Sequence, residues 1–110
     1  MAETMRLWVD DCKPAPDASW TVARTYDEAE RLLRRYRYDV VALDHDLGDD
    51  TRTGYDLMCL MESGAVAVPP LLRIISFNPA GVDRMVRLAT RLGIPIDVGF
   101  AGLTYTEGDA

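Results

Sequence analysis

Three short apolar runs in this chain each stop at an oxygen-bearing side chain: residues 5–9 (MRLWV) at Asp10-Asp11, residues 39–43 (DVVAL) at Asp44, and residues 71–76 (LLRIIS) in the hydroxyl of Ser76. Runs of this length and β-branched content are strand-sized, and Arg, Asp and Pro interrupt them too often for a membrane span. Between them lie stretches of helical periodicity, so the chain alternates strand and helix. That alternation predicts a mainly parallel sheet in an α/β domain. In such sheets ligands bind beyond the carboxyl ends of the strands, and the acidic residues are placed there.

The local signals fill in the order. Residues 20–24 read as a second short strand, and Thr25 with Glu28 fits a capping box that opens a helix to about Arg37. Ala29, Leu32, Leu33 and Tyr36 form its apolar stripe, with Arg31, Arg34, Arg35 and Arg37 elsewhere on it. A second helix runs from Gly54 to Ser63, where Gly64 stops it. Asn78-Pro79 is a helix start, because Asn can cap and Pro suits the first helical position; this third helix runs to Leu92 and Gly93 closes it. Residues 94–100 (IPIDVGF) read as the last strand. One domain over residues 1–102 is expected, with residues 103–110 as a loosely held tail.

Composition narrows the partners. Eighteen acids against twelve bases give a net charge of -6, which repels nucleic-acid phosphates and argues against unaided binding of duplex DNA. Cys12 and Cys59 lie far apart, so neither a disulfide framework nor a structural zinc site is implied. Residues 1–4 have no secretory-signal pattern, and a cytoplasmic location is expected.

In order and position, Asp10-Asp11, Asp44 and Ser76 resemble the phosphorylation site of response-regulator receiver domains. More specifically, DDCKPAP at residues 10–16, LDHDLG followed by TGYD within 43–56, and SFNPAG at residues 76–81 resemble a small, divergent receiver-like family named for a predicted role in processing cyclic phosphates. The resemblance implies a flavodoxin-like, doubly wound parallel sheet of about five strands. It has two departures. Receivers place a lysine at the end of the fifth strand, whereas residues 96–100 hold none and the sole lysine is Lys13. The divergent family often has His directly before the serine of its fourth motif, where this chain has Ile75.

Carboxylates gathered at neighbouring strand ends repel one another unless a cation neutralises them or a proton stays bound. Mg²⁺ suits an all-oxygen set, which makes Asp10, Asp11 and Asp44 candidate metal ligands, with Asp46 a further candidate if the stretch stays extended and projects it to the same side as Asp44. Asp44 is also the candidate nucleophile or activator of water, and His45, the only histidine, a candidate acid or base. Asp49 and Asp50 are expected to be solvated. Ser76, Asn78 and Gly81, at the opening of the third helix, form a candidate phosphate-binding half, with Gly81 allowing close approach of the backbone. Lys13 is the candidate substitute for the missing fifth-strand lysine, reaching across from the first loop.

Two more expectations follow. The first connection is a Pro-rich loop and the chain ends soon after the fifth strand, so one sheet face should carry little helix. Arg6, Arg73 and Asp97 supply polar positions that a sheet buried on both faces would seldom tolerate, and that face is expected to meet a second copy or a partner protein, or to tolerate water. The expected function is handling of a phosphate ester at an Mg²⁺ site, as an Mg²⁺-dependent enzyme acting on a cyclic phosphate of a small molecule or RNA end. The alternatives are a stand-alone phosphoacceptor receiver, or a non-catalytic module binding a phosphorylated ligand or a protein.

Overall fold

The computed structural model describes residues 4–100 and the backbone of 103–106. In chain order the elements are β1 (Arg6–Val9), β2 (Thr21–Ala23), α1 (Tyr26–Arg35), β3 (Val40–Leu43), α2 (Gly54–Ser63), β4 (Leu71–Ile74), α3 (Pro79–Leu92), β5 (Ile96–Phe100) and β6 (Leu103–Thr106). The sheet order is β2-β1-β3-β4-β5-β6; the first five strands are parallel, and β6 is antiparallel to β5. The expected five-strand parallel α/β sheet is present in flavodoxin-like order. Of the expected tail, Leu103–Thr106 pairs as β6, with Leu103 the register partner of Phe100, while residues 107–110 lie outside the described residues. Pairing with β6 occupies the outer edge of β5, which periodicity alone does not reveal.

The helix starts follow from short-range chemistry. The Thr25 hydroxyl accepts from the Glu28 N–H, while the Glu28 carboxylate reaches back to the Arg24 N–H at 2.6 Å. Thr53 and Asp56 make a second capping box on α2, with the Thr53 N–H donating to Asp56 at 2.7 Å. Asn78 caps α3 and Pro79 fills its first position; Gly64 and Gly93 close α2 and α3 in the left-handed region, at φ 82° and 72°.

All three helices lie on one face of the sheet. Leu7 and Val9, Val41 and Leu43, Leu72 and Ile74, and Ile96 and Val98 share that face by register, and they form one buried cluster with Ala29 and Leu33 of α1, Leu57, Met58 and Met61 of α2, and Met85, Leu88 and Ala89 of α3. Handedness explains this. The crossovers β2→β3, β3→β4 and β4→β5 all move the same way across the sheet, and right-handed crossovers put their helices on the same side. The step β1→β2 moves the opposite way, so its connection belongs to the other face. There residues 10–20 provide only a loop, whose Ala15 and Trp20 pack with Trp8, Val22, Ala42 and Ile75; Trp8 meets Trp20 edge-on at 5.5 Å. Further along this face Arg73 and Asp97 are register partners joined at 3.3 Å, and both stay partly exposed.

The reversal of direction between β1 and β3 opens a crevice at their carboxyl ends. Asp10 and Asp44 lie at its two rims.

Candidate functional site

Asp10 folds the loop after β1 onto itself. Its Oδ1 accepts from the N–H groups of Cys12 and Lys13 at 3.0 and 2.9 Å, an Asx-type turn. The Lys13 carbonyl then accepts from Trp8 Nε1 at 3.0 Å and from Arg24 Nη1 at 2.6 Å, and the same guanidinium nitrogen reaches the Asp10 carbonyl at 3.0 Å. With its backbone fixed on both sides, Lys13 extends over the crevice. Its Nζ lies 3.0 Å from Asp10 Oδ2, 3.4 Å from Asp44 Oδ2, and 4.6 Å from the centre of the Phe77 ring.

Asp10 is fully buried and Asp44 is 6% exposed, so this ammonium compensates two carboxylates withdrawn from water. Burial pushes Asp10 up, but the Cys12 and Lys13 N–H groups and the ammonium outweigh it, and its carboxyl lies below the ordinary range. Asp44 comes out the other way: burial, with the Asp10 charge added, raises it despite Lys13 and a hydrogen bond from Ser76. Lys13 loses some affinity for its proton through burial, yet its bonds and attraction to the two aspartates raise it overall. The lysine is therefore a fixed cation, and Asp44 is the carboxylate that most readily takes a proton.

Ser76 is buried; its hydroxyl bonds Asp44 and accepts from the Asn78 N–H at 3.0 Å. Asn78 is occupied at both ends, its Oδ1 accepting from the Gly81 N–H at 3.1 Å and its Nδ2 donating to Asp46 at 3.3 Å. Gly81 serves packing instead of opening room for a phosphate. A Cβ there would come within 2.4 Å of the His45 ring, which fills the space a side chain would need. Since the cap also uses the Gly81 N–H, Gly81 offers a ligand neither space nor a free donor.

His45 lies buried beneath α3, with Nδ1 bonded to Asp46 at 2.9 Å and Nε2 enclosed without a hydrogen-bond partner among the described residues. The extended projection expected for Asp46 fails because β3 ends at Leu43 and the chain bends at His45. Strand alternation stops with the strand. The Asp46 side chain is 63% exposed and serves His45 and Asn78, while the Asp46 N–H donates to Asp44 Oδ1 at 3.3 Å. Asp49, expected to be solvated, accepts from Thr51 and Arg52 N–H groups and pairs with the Arg52 guanidinium at 2.9 Å, which holds its carboxyl at about 2.

Among the described residues, the cluster with ligand atoms close enough to share one ion consists of Asp10, Asp11 and Cys12. Its two carboxylates suit Mg²⁺ and its sulfur does not. Asp10 and Asp11 are the hard-oxygen ligands that this group would offer to Mg²⁺; Asp44 lies outside it, joined to Asp10 through the shared lysine, and burial is the main cause of its raised carboxyl. The loop after β3 passes close by: a Cβ on Gly48, itself at φ 68°, would lie 3.3 Å from Asp11 Oδ2.

Sequence reading overlooked several parts of this site. Gly54 is indispensable to it, because a Cβ there would come 2.1 Å from the Asp44 carbonyl oxygen, and its N–H donates to the His45 carbonyl at 2.8 Å. The signal was present in a glycine at the first position of a helix capped by Thr53. Arg24 could be found only from the pairing of β1 with β2, and Phe77 only once Lys13 was placed.

A parallel sheet in this order, with carboxylates ending β1 and β3, a hydroxyl beyond β4 and an ammonium on the β3 carboxylate, defines a receiver-like domain. Among protein families, the cyclic-phosphate processing receiver domain matches residues 5–91, and the chain belongs to that family. β5, where the usual lysine is missing, lies beyond the matched residues. Comparison with curated proteins and with solved structures gives no match. No helix among the described residues is long and apolar enough to cross a membrane.

Proposed function

We propose that the crevice between β1 and β3 binds a phosphate ester and opens a cyclic phosphate to a monoester. The observation that carries this reading is Lys13 Nζ between Asp10 and Asp44, with the Ser76 hydroxyl bonded to Asp44. An ammonium beside one carboxylate makes a place where a phosphoryl group meets a cation and a base together, with the Ser76 hydroxyl bonded to that carboxylate and holding it in place. Mg²⁺ held by Asp10 and Asp11 would supply further positive charge for the phosphoryl oxygens.

Asp44 takes a proton from the attacking water, a task that its raised carboxyl performs better than an ordinary aspartate. The new P–O bond forms as the ring P–O bond breaks, and the leaving alkoxide collects its proton from solvent, giving a phosphate monoester with a free neighbouring hydroxyl. Lys13 holds its proton too firmly to act as the acid and instead offsets charge on the phosphoryl oxygens. His45, enclosed beneath α3, positions the loop. Phosphate monoester released from a nucleoside 2′,3′-cyclic phosphate, dependent on Mg²⁺ and lost in Asp44→Asn, is the expected result. Release that persists in Asp44→Asn would refute it.

One observation favours a second reading. Lys13 restores to Asp44 the cation that the end of β5 lacks, so Asp44 could also accept a phosphoryl group as signalling receivers do. Incubation with acetyl phosphate followed by intact-mass measurement separates the two, since only a phosphoacceptor gains a stable phosphoryl adduct. We place a second copy or a partner protein on the thinly covered sheet face around Arg6, Arg73 and Asp97.

A further inference from the structure

A groove of about 410 Å³ adjoins the phosphate half of the site, lined by Ser76, Phe77, Val82, Asp83, Val86 and Val98. Its volume is that of a small-molecule seat, within the roughly 300–1,000 Å³ usual for ligand pockets. It is continuous with the crevice at two residues. Ser76 bonds Asp44 on one side and lines the groove on the other, and Phe77 lines the groove while its ring lies 4.6 Å from Lys13 Nζ.

The chemistry along the groove is ordered. At the crevice end stands the ammonium of Lys13, the cation an anionic group would meet; along the wall come the Val82, Val86 and Val98 side chains, suited to a flat apolar surface; at the rim is the exposed carboxylate of Asp83, paired with Arg87 at 2.9 Å. A matching occupant is anionic at one end and planar and apolar beyond it. With a chain charge of -6, each extra phosphate meets repulsion, which favours one nucleotide over a strand.

We propose that this groove seats the nucleobase of a mononucleoside phosphate whose phosphate occupies the crevice. The inference rests on the phosphate-ester reading above and adds the substrate class. Base-free sugar phosphates fill only half of the site.

Titration calorimetry and methyl NMR on the full chain with Mg²⁺ test it, using adenosine 3′-monophosphate, the base-free methyl ribofuranoside 3-phosphate, and adenosine. The nucleotide should bind at least about tenfold more tightly than the base-free ester, a difference of about 1.4 kcal/mol, and should shift the Val82, Val86 and Val98 methyl signals. Val86→Glu should remove that advantage while leaving the affinity for the base-free ester unchanged, which also shows that the variant folds. Equal binding of the two esters with unmoved methyl signals overturns the base seat and leaves the phosphate reading standing. Failure of both esters to bind overturns the two readings together. Nuclear Overhauser contacts between these methyls and residues 107–110 in the ligand-free chain would assign the groove to the chain's own end and overturn the proposal.

Discussion

Replacing Lys13 by Met removes the ammonium from between two buried carboxylates and leaves the aliphatic bulk in place. At 3.0 and 3.4 Å and an effective dielectric near 20, each carboxylate attracts the ammonium by about 5 kcal/mol. Desolvation of the three groups and repulsion between Asp10 and Asp44 offset much of that. Removing one partner of a buried pair typically costs about 3–5 kcal/mol. Lys13 is 28% exposed on its side chain and Asp10 keeps two N–H bonds, so the low end applies and a loss of about 3 kcal/mol is expected. In urea, with a slope of about 1.5 kcal/mol/M for a chain of this size, the midpoint should fall by about 2 M.

The loss has a pH signature. Lys13's proton affinity is raised by folding, so its contribution is present below the unfolded value of 10.5 and fades as pH rises through the higher folded value. Asp10 is lowered, so its contribution is present above 3.8 and fades as pH falls through the lower folded value. The deficit of the variant should therefore be widest between roughly pH 5 and 10 and shrink on both sides. Millimolar Mg²⁺ should restore more stability to the variant than to the parent, because a divalent cation held by Asp10 and Asp11 is then the sole neutralising charge. Urea titrations at several pH values, with and without Mg²⁺, read all of this. A neutral-pH loss below about 0.5 kcal/mol, or an equal loss at pH 3 and pH 7, would refute the reasoning.

Other outcomes follow from neighbouring geometry. Asp44→Asn should abolish cyclic-phosphate opening yet stabilise the fold at neutral pH, because folding raises the Asp44 carboxyl and its ionisation is a cost incurred as pH climbs from 3.8 through that raised value; urea midpoints at pH 7 and pH 3 should show the gain only at the former. Gly81→Ala forces a methyl to 2.4 Å from His45 and should cost about 1–3 kcal/mol, most of it relieved in a double variant with His45→Ala, which thermal unfolding and a double-mutant cycle can measure. NMR titration should find the Asp49 carboxyl at about 2, with its stabilising contribution present above 3.8 and lost as pH falls through the folded value; titration near 4 would contradict the Arg52 pairing. Sedimentation velocity over a concentration series should show self-association that Trp20→Glu and Arg73→Glu weaken if the thinly covered face meets a second copy; a monomer at every concentration excludes that version.

Local pattern was enough for the elements themselves, since caps, glycine stops and apolar spacing are short-range chemistry that each segment carries with it. It was also enough for Asp10, Asp44 and Ser76, because a side chain at a strand's end is placed by the strand and parallel strands align their ends. Even the thin helix cover of one sheet face among the described residues could be read, from a missing helix in the first connection and from charges within strands. Where the chain leaves regular structure the pattern ceases to apply: Asp46 follows a bend, not a strand, and turns to His45 and Asn78. Gly81 looked like room for a ligand and proved to be room for an imidazole supplied from another loop. Only the folded sheet, by setting β2 beside β1 and so Arg24 against the first loop, decided that Lys13 lies across both carboxylates. A loop side chain's position depends on contacts from distant segments, and no periodicity along one stretch of chain encodes those.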